Sequence, residues 1–109
     1  MGKPVAGDVV VLPFPQTNLQ PGKRRPALVV VDLPGDDLIL CQITSRAHRD
    51  NFSISLEQND CESGQLHVRS YIRPNRLFTI EQSVILYTAA RLNQAKLDEA
   101  LAKLRQLFS

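Results

Sequence analysis

Cysteine and histidine are scarce in this chain, which has two of each and no tryptophan among its 109 residues. Two cysteines, Cys41 and Cys61, do not make a disulfide framework, and no Cys/His set has the spacing of zinc ligands. Cys41 lies inside an apolar run and is predicted to be a buried small hydrophobe, whereas Cys61 lies in a polar segment. We therefore expect neither a metal site nor a cofactor.

Long hydrophobic runs are also missing from the sequence. No segment is apolar over enough residues to span a membrane, and no signal peptide is recognisable, so we expect a cytoplasmic protein with no membrane partner. A length of 109 residues, of which 43% are hydrophobic, fits a single domain over residues 1–109 with a modest core.

A strong net charge is the third absence, because the formal value is only +2. The positive charge is bunched instead, and the bunches lie at Lys23, Arg24 and Arg25, at Arg46 and Arg49, and at Arg69, Arg73 and Arg76. Clustered basic residues on a weakly charged domain favour a local polyanion site over general coating of nucleic acid. A solvated surface is the alternative interpretation of the same pattern.

The central pattern is a hairpin of two apolar runs, 24–31 and 38–45, around the turn-forming segment 32–37. If Val31 pairs with Leu38, Arg25 falls opposite Thr44, close enough for a guanidinium and a hydroxyl to act on one ligand. A bulge that shifts the register would break this inference. Both faces of the hairpin are apolar, so a helix or a second subunit must cover the second face, and we predict a homodimer.

Four further strands are predicted at close spacing. They are residues 7–12, ended by Pro13; residues 52–56; residues 66–73, ended by Pro74; and residues 83–89. Without a strand–helix–strand rhythm, this pattern predicts a mainly β fold, a small barrel or rolled sheet. A C-terminal amphipathic helix follows, with Asn93 as its N-cap and an apolar stripe of Leu97, Leu101, Leu104 and Phe108.

Two loop segments are candidates for a role at the site. Residues 16–23 form a polar loop that leads into Arg24 and Arg25, and this loop either covers a bound ligand or simply connects two strands. His48 lies in the charged loop 46–51 and is a candidate general base, with a solvated surface histidine as the alternative.

The sequence resembles the MazF/PemK growth-inhibitor toxins in four segments, taken in order: residues 7–15 (GDVVVLPFP), 23–30 (KRRPALVV), 42–45 (QITS) and 73–79 (RPNRLFT). The resemblance implies an SH3-like barrel, usually a homodimer, that acts as a metal-independent endoribonuclease on single-stranded RNA and is paired with an antitoxin protein. It also implies that Arg25 and Thr44 are catalytic. Residues expected to bind RNA around them are Arg24, Ser45, Arg69 and Arg73.

The implied chemistry suits Arg25 and Thr44. In metal-free cleavage the 2′-hydroxyl attacks the adjacent phosphorus, which leaves a cyclic phosphate and a free 5′-hydroxyl. Arg25 would stabilise the charge that builds on the phosphoryl oxygens, and Thr44 would hold the phosphate in line. Better-known members carry a carboxylate near the segment 71–75, which has none here, so the general base stays unassigned.

Two alternatives to the ribonuclease follow from the same sequence. One is a degenerate barrel that binds nucleic acid or an antitoxin without catalysis. The other is the gyrase poisoning of the CcdB toxins, which share the architecture, although the Arg25-Pro26 and Ile43-Thr44-Ser45 segments point away from them. The antitoxin is expected to be a small protein with a disordered acidic tail, lying across Arg24, Arg25 and Arg73.

Overall fold

The structure, a computed structural model, describes residues 2–14, 23–47 and 51–109. Its main feature is one antiparallel sheet of seven strands, in the order β4-β6-β3-β2-β1-β7-β5, rolled into a half-barrel. The strands are β1 (Asp8–Phe14), β2 (Lys23–Asp32), β3 (Asp37–Thr44), β4 (Ile54–Leu56), β5 (Cys61–Gly64), β6 (Ser70–Glu81) and β7 (Tyr87–Leu92), and α1 (Gln94–Phe108) follows them. The predicted fold class, a small barrel with a C-terminal helix, is confirmed. Among these described residues, no helix is both long and apolar enough to cross a membrane.

Strand β1 does not end at Pro13 as predicted, but continues to Phe14. It pairs with β2 from Val9 to Phe14, whereas its pairing with β7 ends at Val11. Beyond Val11 the β7 side of the strand is therefore an edge, where a proline removes no ladder hydrogen bond. Pro13 consequently extends the strand that lies directly opposite Arg24 and Arg25.

The central hairpin contains the register shift that the sequence analysis named as a risk. Near the turn, Asp32 pairs with Leu38 and Val31 with Ile39, so the predicted pairing of Val31 with Leu38 is wrong. A bulge between Val29 and Val31 then restores the predicted offset, because Val29 pairs with Leu40 and Ala27 with Gln42. The open end of the hairpin therefore keeps the register that was expected.

Strand β6 continues through Pro74, where the sequence predicted an end. Gln42 pairs with Arg73, but the preceding residue, Cys41, pairs with Leu77. The segment 74–76 is thus a bulge in β6, the position in a sheet where proline is tolerated. Pro74 itself is fully buried and anchors this bulge.

Two apolar clusters lie on opposite faces of the central hairpin. The first contains Leu28, Val30, Cys41 and Ile43, and Ala100, Leu101 and Leu104 of α1 cover it. The second contains Ala27, Val29, Leu38 and Leu40, and Phe78, Ile80 and Ile85 pack against it. The predicted division of the hairpin into two apolar faces is correct. The chain itself covers much of the second face, through the C-terminal half of β6 and the segment after it.

The C-terminal helix begins where the sequence predicted. The Asn93 side chain accepts a hydrogen bond of 2.8 Å from the Lys96 amide and caps α1. The stripe is shorter than predicted, because Phe108 is 76% exposed. The predicted strand 83–89 is shifted to β7, after a short 3-10 helix at residues 82–84, and the polar strand β5 was not predicted.

Candidate functional site

A basic groove of about 580 Å³ lies at the open end of the central hairpin, between that end and β6. Five arginines line it, which are Arg24, Arg25, Arg46, Arg73 and Arg76. The remaining lining residues are Pro26, Gln42, Ile43, Thr44, Ser45, Val68 and Ser70. No carboxylate is among these described lining residues, so the groove suits an anion.

Arg25 and Thr44 reach the groove from the two strands of the hairpin. Arg25 lies on β2 opposite Leu12 of β1, and Thr44 is the last residue of β3, opposite Tyr71 of β6. The cross-strand pairs of β2 and β3 reach Ala27 and Gln42, two residues short of Arg25 and Thr44. Both side chains nevertheless line the same groove, as the predicted register required.

The Thr44 hydroxyl is held by a local turn at the end of β3. Its Oγ1 accepts a hydrogen bond of 3.2 Å from the Arg46 amide. A hydroxyl that accepts one bond still has its own hydrogen to donate. Thr44 can therefore donate to a phosphoryl oxygen without losing the contact that orients it.

Arg73 and Arg76 enter the groove because of the bulge in β6. In a regular strand, residues three apart lie on opposite faces. The bulge at 74–76 breaks that alternation, and both guanidinium groups line the basic groove. The sequence placed Arg76 in a basic cluster but gave it no role, since a strand ending at Pro74 leaves it outside the site.

The other predicted RNA-binding residues divide between the groove and its surroundings. Arg24, Ser45 and Arg73 line the groove, whereas Arg69 is not among its lining residues. Arg69 lies just before β6 begins, with its Nε 3.5 Å from Glu57 Oε1 and its side chain 63% exposed. His48 and most of the loop 16–23 lie outside the described residues.

Sequence reasoning missed four polar side chains of the groove. Arg46 and Arg76 belong to basic clusters that were noticed, so their charge was the available signal. Gln42 and Ser70 carry no charge; Gln42 is paired with Arg73 of β6, and Ser70 begins β6 opposite Leu56 of β4. Ser70 is buried and donates a hydrogen bond of 3.1 Å to the Val68 carbonyl, which fixes one wall.

The two cysteines are not nucleophiles of this site. Burial raises the pKa of the Cys41 thiol to about 12, which keeps it protonated at neutral pH. Partial burial, and then the nearby Asp60 carboxylate, raise the pKa of the Cys61 thiol as well. Within residues 2–14, 23–47 and 51–109, no three His, Cys, Asp or Glu side chains come together as metal ligands.

The fold and site are those of a small β protein, a rolled antiparallel sheet whose arginine-lined groove has the charge to suit a polyanion. The sequence profile of the PemK-like, MazF-like toxins of type II toxin–antitoxin systems matches residues 6–108. The chain therefore belongs to this toxin family. A search of curated protein sequences finds no significant match.

Solved structures support the same assignment. MazF in a MazE–MazF crystal of Deinococcus radiodurans is 26% identical with a TM-score of 0.78, covering 98% of this chain and 97% of that one. MazF alone from the same organism is 27% identical with a TM-score of 0.74, covering 99% and 98%. A mycobacterial endoribonuclease in complex with its cognate antitoxin shares the fold at 13% identity, with a TM-score of 0.74 and coverage of 96% and 94%.

Proposed function

We propose that this toxin cleaves single-stranded RNA without a metal ion and leaves a 2′,3′-cyclic phosphate and a 5′-hydroxyl. The observation that carries the proposal is that five arginines and the Thr44 hydroxyl line one groove with no acidic side chain among its lining residues. Such a groove binds the phosphodiester and stabilises the extra charge of its transition state.

In this reaction the 2′-oxygen forms a bond to phosphorus, and the bond from phosphorus to the 5′-oxygen breaks. The 2′-hydroxyl gives up its proton, and the departing 5′-oxygen gains one. Arg25 donates two hydrogen bonds to the phosphoryl oxygens as their charge increases. A guanidinium stays protonated at neutral pH, so Arg25 stabilises charge and is not the base. Thr44 holds the phosphate in line for attack.

The direct test incubates end-labelled single-stranded RNA with the purified toxin in EDTA. We expect cleavage, with product ends that resist 3′-ligation until the cyclic phosphate is opened and the remaining phosphate is removed. Intact RNA, together with retained RNA binding at high protein concentration, would instead support the non-catalytic barrel. Cleavage that stops in EDTA and returns with a divalent cation would refute the metal-free mechanism.

Two arginine variants with the same change of charge test whether the groove binds the substrate. Arg76→Ala removes a guanidinium from the groove, whereas Arg69→Ala removes one paired with Glu57 outside it. We expect Arg76→Ala to weaken RNA binding. The slope of log affinity against log salt concentration should decrease by the contribution of about one phosphate contact. Arg69→Ala should change binding little. Equal losses would show that total charge matters and that the groove does not.

An antitoxin partner is proposed for the same groove. The structures of related MazE–MazF complexes support a protein partner. We propose that an acidic, disordered segment of the antitoxin lies across Arg24, Arg25 and Arg73 in the cytoplasm and excludes RNA by occupancy and charge. If a saturating, co-purified antitoxin leaves RNA cleavage unchanged, this mode of inhibition is wrong.

A homodimer is proposed from the second apolar face. Although Phe78, Ile80 and Ile85 cover much of it, Leu77, Val84 and Leu86 remain 37%, 40% and 47% exposed nearby. Pairing with a second copy would remove this apolar surface from water. Sedimentation equilibrium should show a mass of twice 12.2 kDa at micromolar concentration. A single species of 12.2 kDa would exclude the dimer.

A further inference from the structure

A second cavity adjoins the basic groove and differs from it in chemistry. It has a volume of about 510 Å³ and shares four wall residues with the groove, namely Arg24, Pro26, Val68 and Ser70. Its own walls include Val9, Val11, Leu66, His67 and Tyr87. We call it the flanking cavity. One ligand can therefore enter both spaces, with its charged part in the groove and an uncharged part here.

The side chains of the flanking cavity suit a nucleobase. Tyr87 is 53% exposed and supplies an aromatic ring, and His67 supplies a second flat ring. Single-stranded nucleic acid binds to such rings by stacking, while basic side chains follow its backbone. Arg24 stands on the shared wall, where a phosphate would pass from one space to the other. The volume lies within the range of small-molecule sites.

Hydrogen bonds hold the wall between the two spaces in place. Gln58 donates to the Gly64 carbonyl at 3.1 Å and accepts from the Leu66 amide at 2.6 Å. The Gln65 amide donates to the Ala89 carbonyl at 3.2 Å. Gly64, the last residue of β5, has a φ of 80°, and a Cβ there would lie 2.3 Å from the Ala89 oxygen, so the end of β5 packs directly against β7. The segment that leads to His67 and Val68 is thus fixed before any ligand binds.

We infer that the flanking cavity is a base subsite, in which Tyr87 and His67 stack on the nucleobase next to the phosphate held in the basic groove. This inference rests on the proposed RNA-cleaving function and names residues that determine its sequence preference. Arg25 and Thr44 act on the phosphate, whereas Tyr87 and His67 select the base beside it. Gln58 is a positioning residue, because it acts through the loop.

The test compares two fluorescent single strands with equal numbers of phosphates. One is a 2′-deoxy strand of mixed sequence, and the other has an abasic residue at every position. Neither can be cleaved through a 2′-oxygen, so binding is measured without turnover. We expect Tyr87→Ala to bind the base-bearing strand about 5- to 100-fold more weakly and the abasic strand unchanged. Arg25→Ala should weaken both strands equally.

Matched variants separate stacking from a general loss of structure. Tyr87→Phe keeps the ring and should bind like the wild type, and His67→Ala should repeat the base-specific loss to a smaller extent. Phe108→Ala removes an aromatic ring that is 76% exposed at the end of α1, and it should change neither affinity. Thermal melts confirm that each variant is folded.

The subsite is refuted if folded Tyr87→Ala and His67→Ala bind both strands like the wild type. It is also refuted if these variants lose affinity for the antitoxin alone, because the cavity is then a protein-binding site. A wild-type protein that cuts no RNA but prefers the base-bearing strand through Tyr87 would refute the nuclease proposal and leave the subsite standing. The two proposals therefore fail on different measurements.

Discussion

The two ends of the central hairpin differ in what holds them and in what they hold. At the turn end, Lys3 donates to the carbonyls of Leu33 and Gly35 and forms an ion pair with Asp32 at 2.8 Å. At the open end, the strands separate after Ala27 and Gln42, and Arg24 and Arg25 of β2 line a groove together with Arg46, which follows β3. The turn end is stabilised by contacts of a lysine with carbonyl and carboxylate oxygens. The open end instead brings several positive charges together, where they can bind an anionic ligand. Stability and chemistry can therefore be changed separately.

The largest effect is expected between the two ends, at the bulge. Val30 is 5% exposed in the first apolar cluster, so Val30→Asp buries a charge without a partner and should unfold the domain. The neighbouring Val31 is 39% exposed, and Val31→Asp should keep the fold. Thermal melts followed by circular dichroism measure whether each of the two variants is folded. If Val30→Asp melts like the wild type, the bulge does not place Val30 in the core.

At the open end, Arg25→Ala should abolish most activity and leave the melting temperature unchanged. Loss of one transition-state charge contact typically lowers turnover by about two to three powers of ten. Arg25→Lys keeps the positive charge but lacks the planar, forked guanidinium. Its cleavage rate should lie between that of the wild type and that of Arg25→Ala. Single-turnover RNA cleavage measures all three proteins. A folded Arg25→Ala protein that cuts at the wild-type rate would remove Arg25 from the catalytic assignment.

Thr44→Val should have a smaller effect, because it removes a hydroxyl and no charge. One neutral hydrogen bond is worth about 1 kcal/mol, so we expect roughly a fivefold loss of cleavage rate. Thr44→Ser restores the hydroxyl and should recover most of the rate. Equal rates for the valine and serine variants would mean that the Thr44 hydroxyl does not contact the phosphate.

The smallest effect is expected at the turn end. Lys3→Ala removes the contacts to Leu33, Gly35 and Asp32, and it should lower the free energy of unfolding by about 1 kcal/mol. RNA cleavage at a temperature well below the melt should stay at the wild-type rate. A large loss of cleavage would show that the two ends of the hairpin are coupled.

The alternation of side chains between the two faces of a strand and the capping residue of the helix made much of this fold predictable. The two apolar faces of the hairpin follow from the period of two, and the start of α1 follows from Asn93. The prolines led to wrong predictions of where two strands end, because a sequence does not say which side of a strand is an edge or where a bulge lies. Pro13 and Pro74 both lie inside strands for those reasons.

The site was predictable where it depends on local register and not where it depends on distant pairing. Arg25 and Thr44 belong to one hairpin, and counting from the assumed pair of Val31 and Leu38 brings them together because the bulge between Val29 and Val31 offsets the error of one residue at the turn. Arg76 joins them only because β6 forms a bulge opposite β3. The resemblance implies an RNA-binding role for Arg69, which lies just before β6 begins at Ser70, and this role stays a prediction. Arg69 is not among the groove's lining residues, although its neighbours Val68 and Ser70 are.

The β6 bulge also determines how much of the chain must be synthesised before the basic groove can be complete. Chains are made from the N-terminus, so the segments that carry Arg24, Arg25 and Arg46 are synthesised before β6. Arg73, Arg76 and the Ser70 wall arrive only when β6 has docked on β3 in both of its registers. A chain made only as far as residue 69 therefore has an incomplete groove. The groove is complete only when β6 has paired with β3.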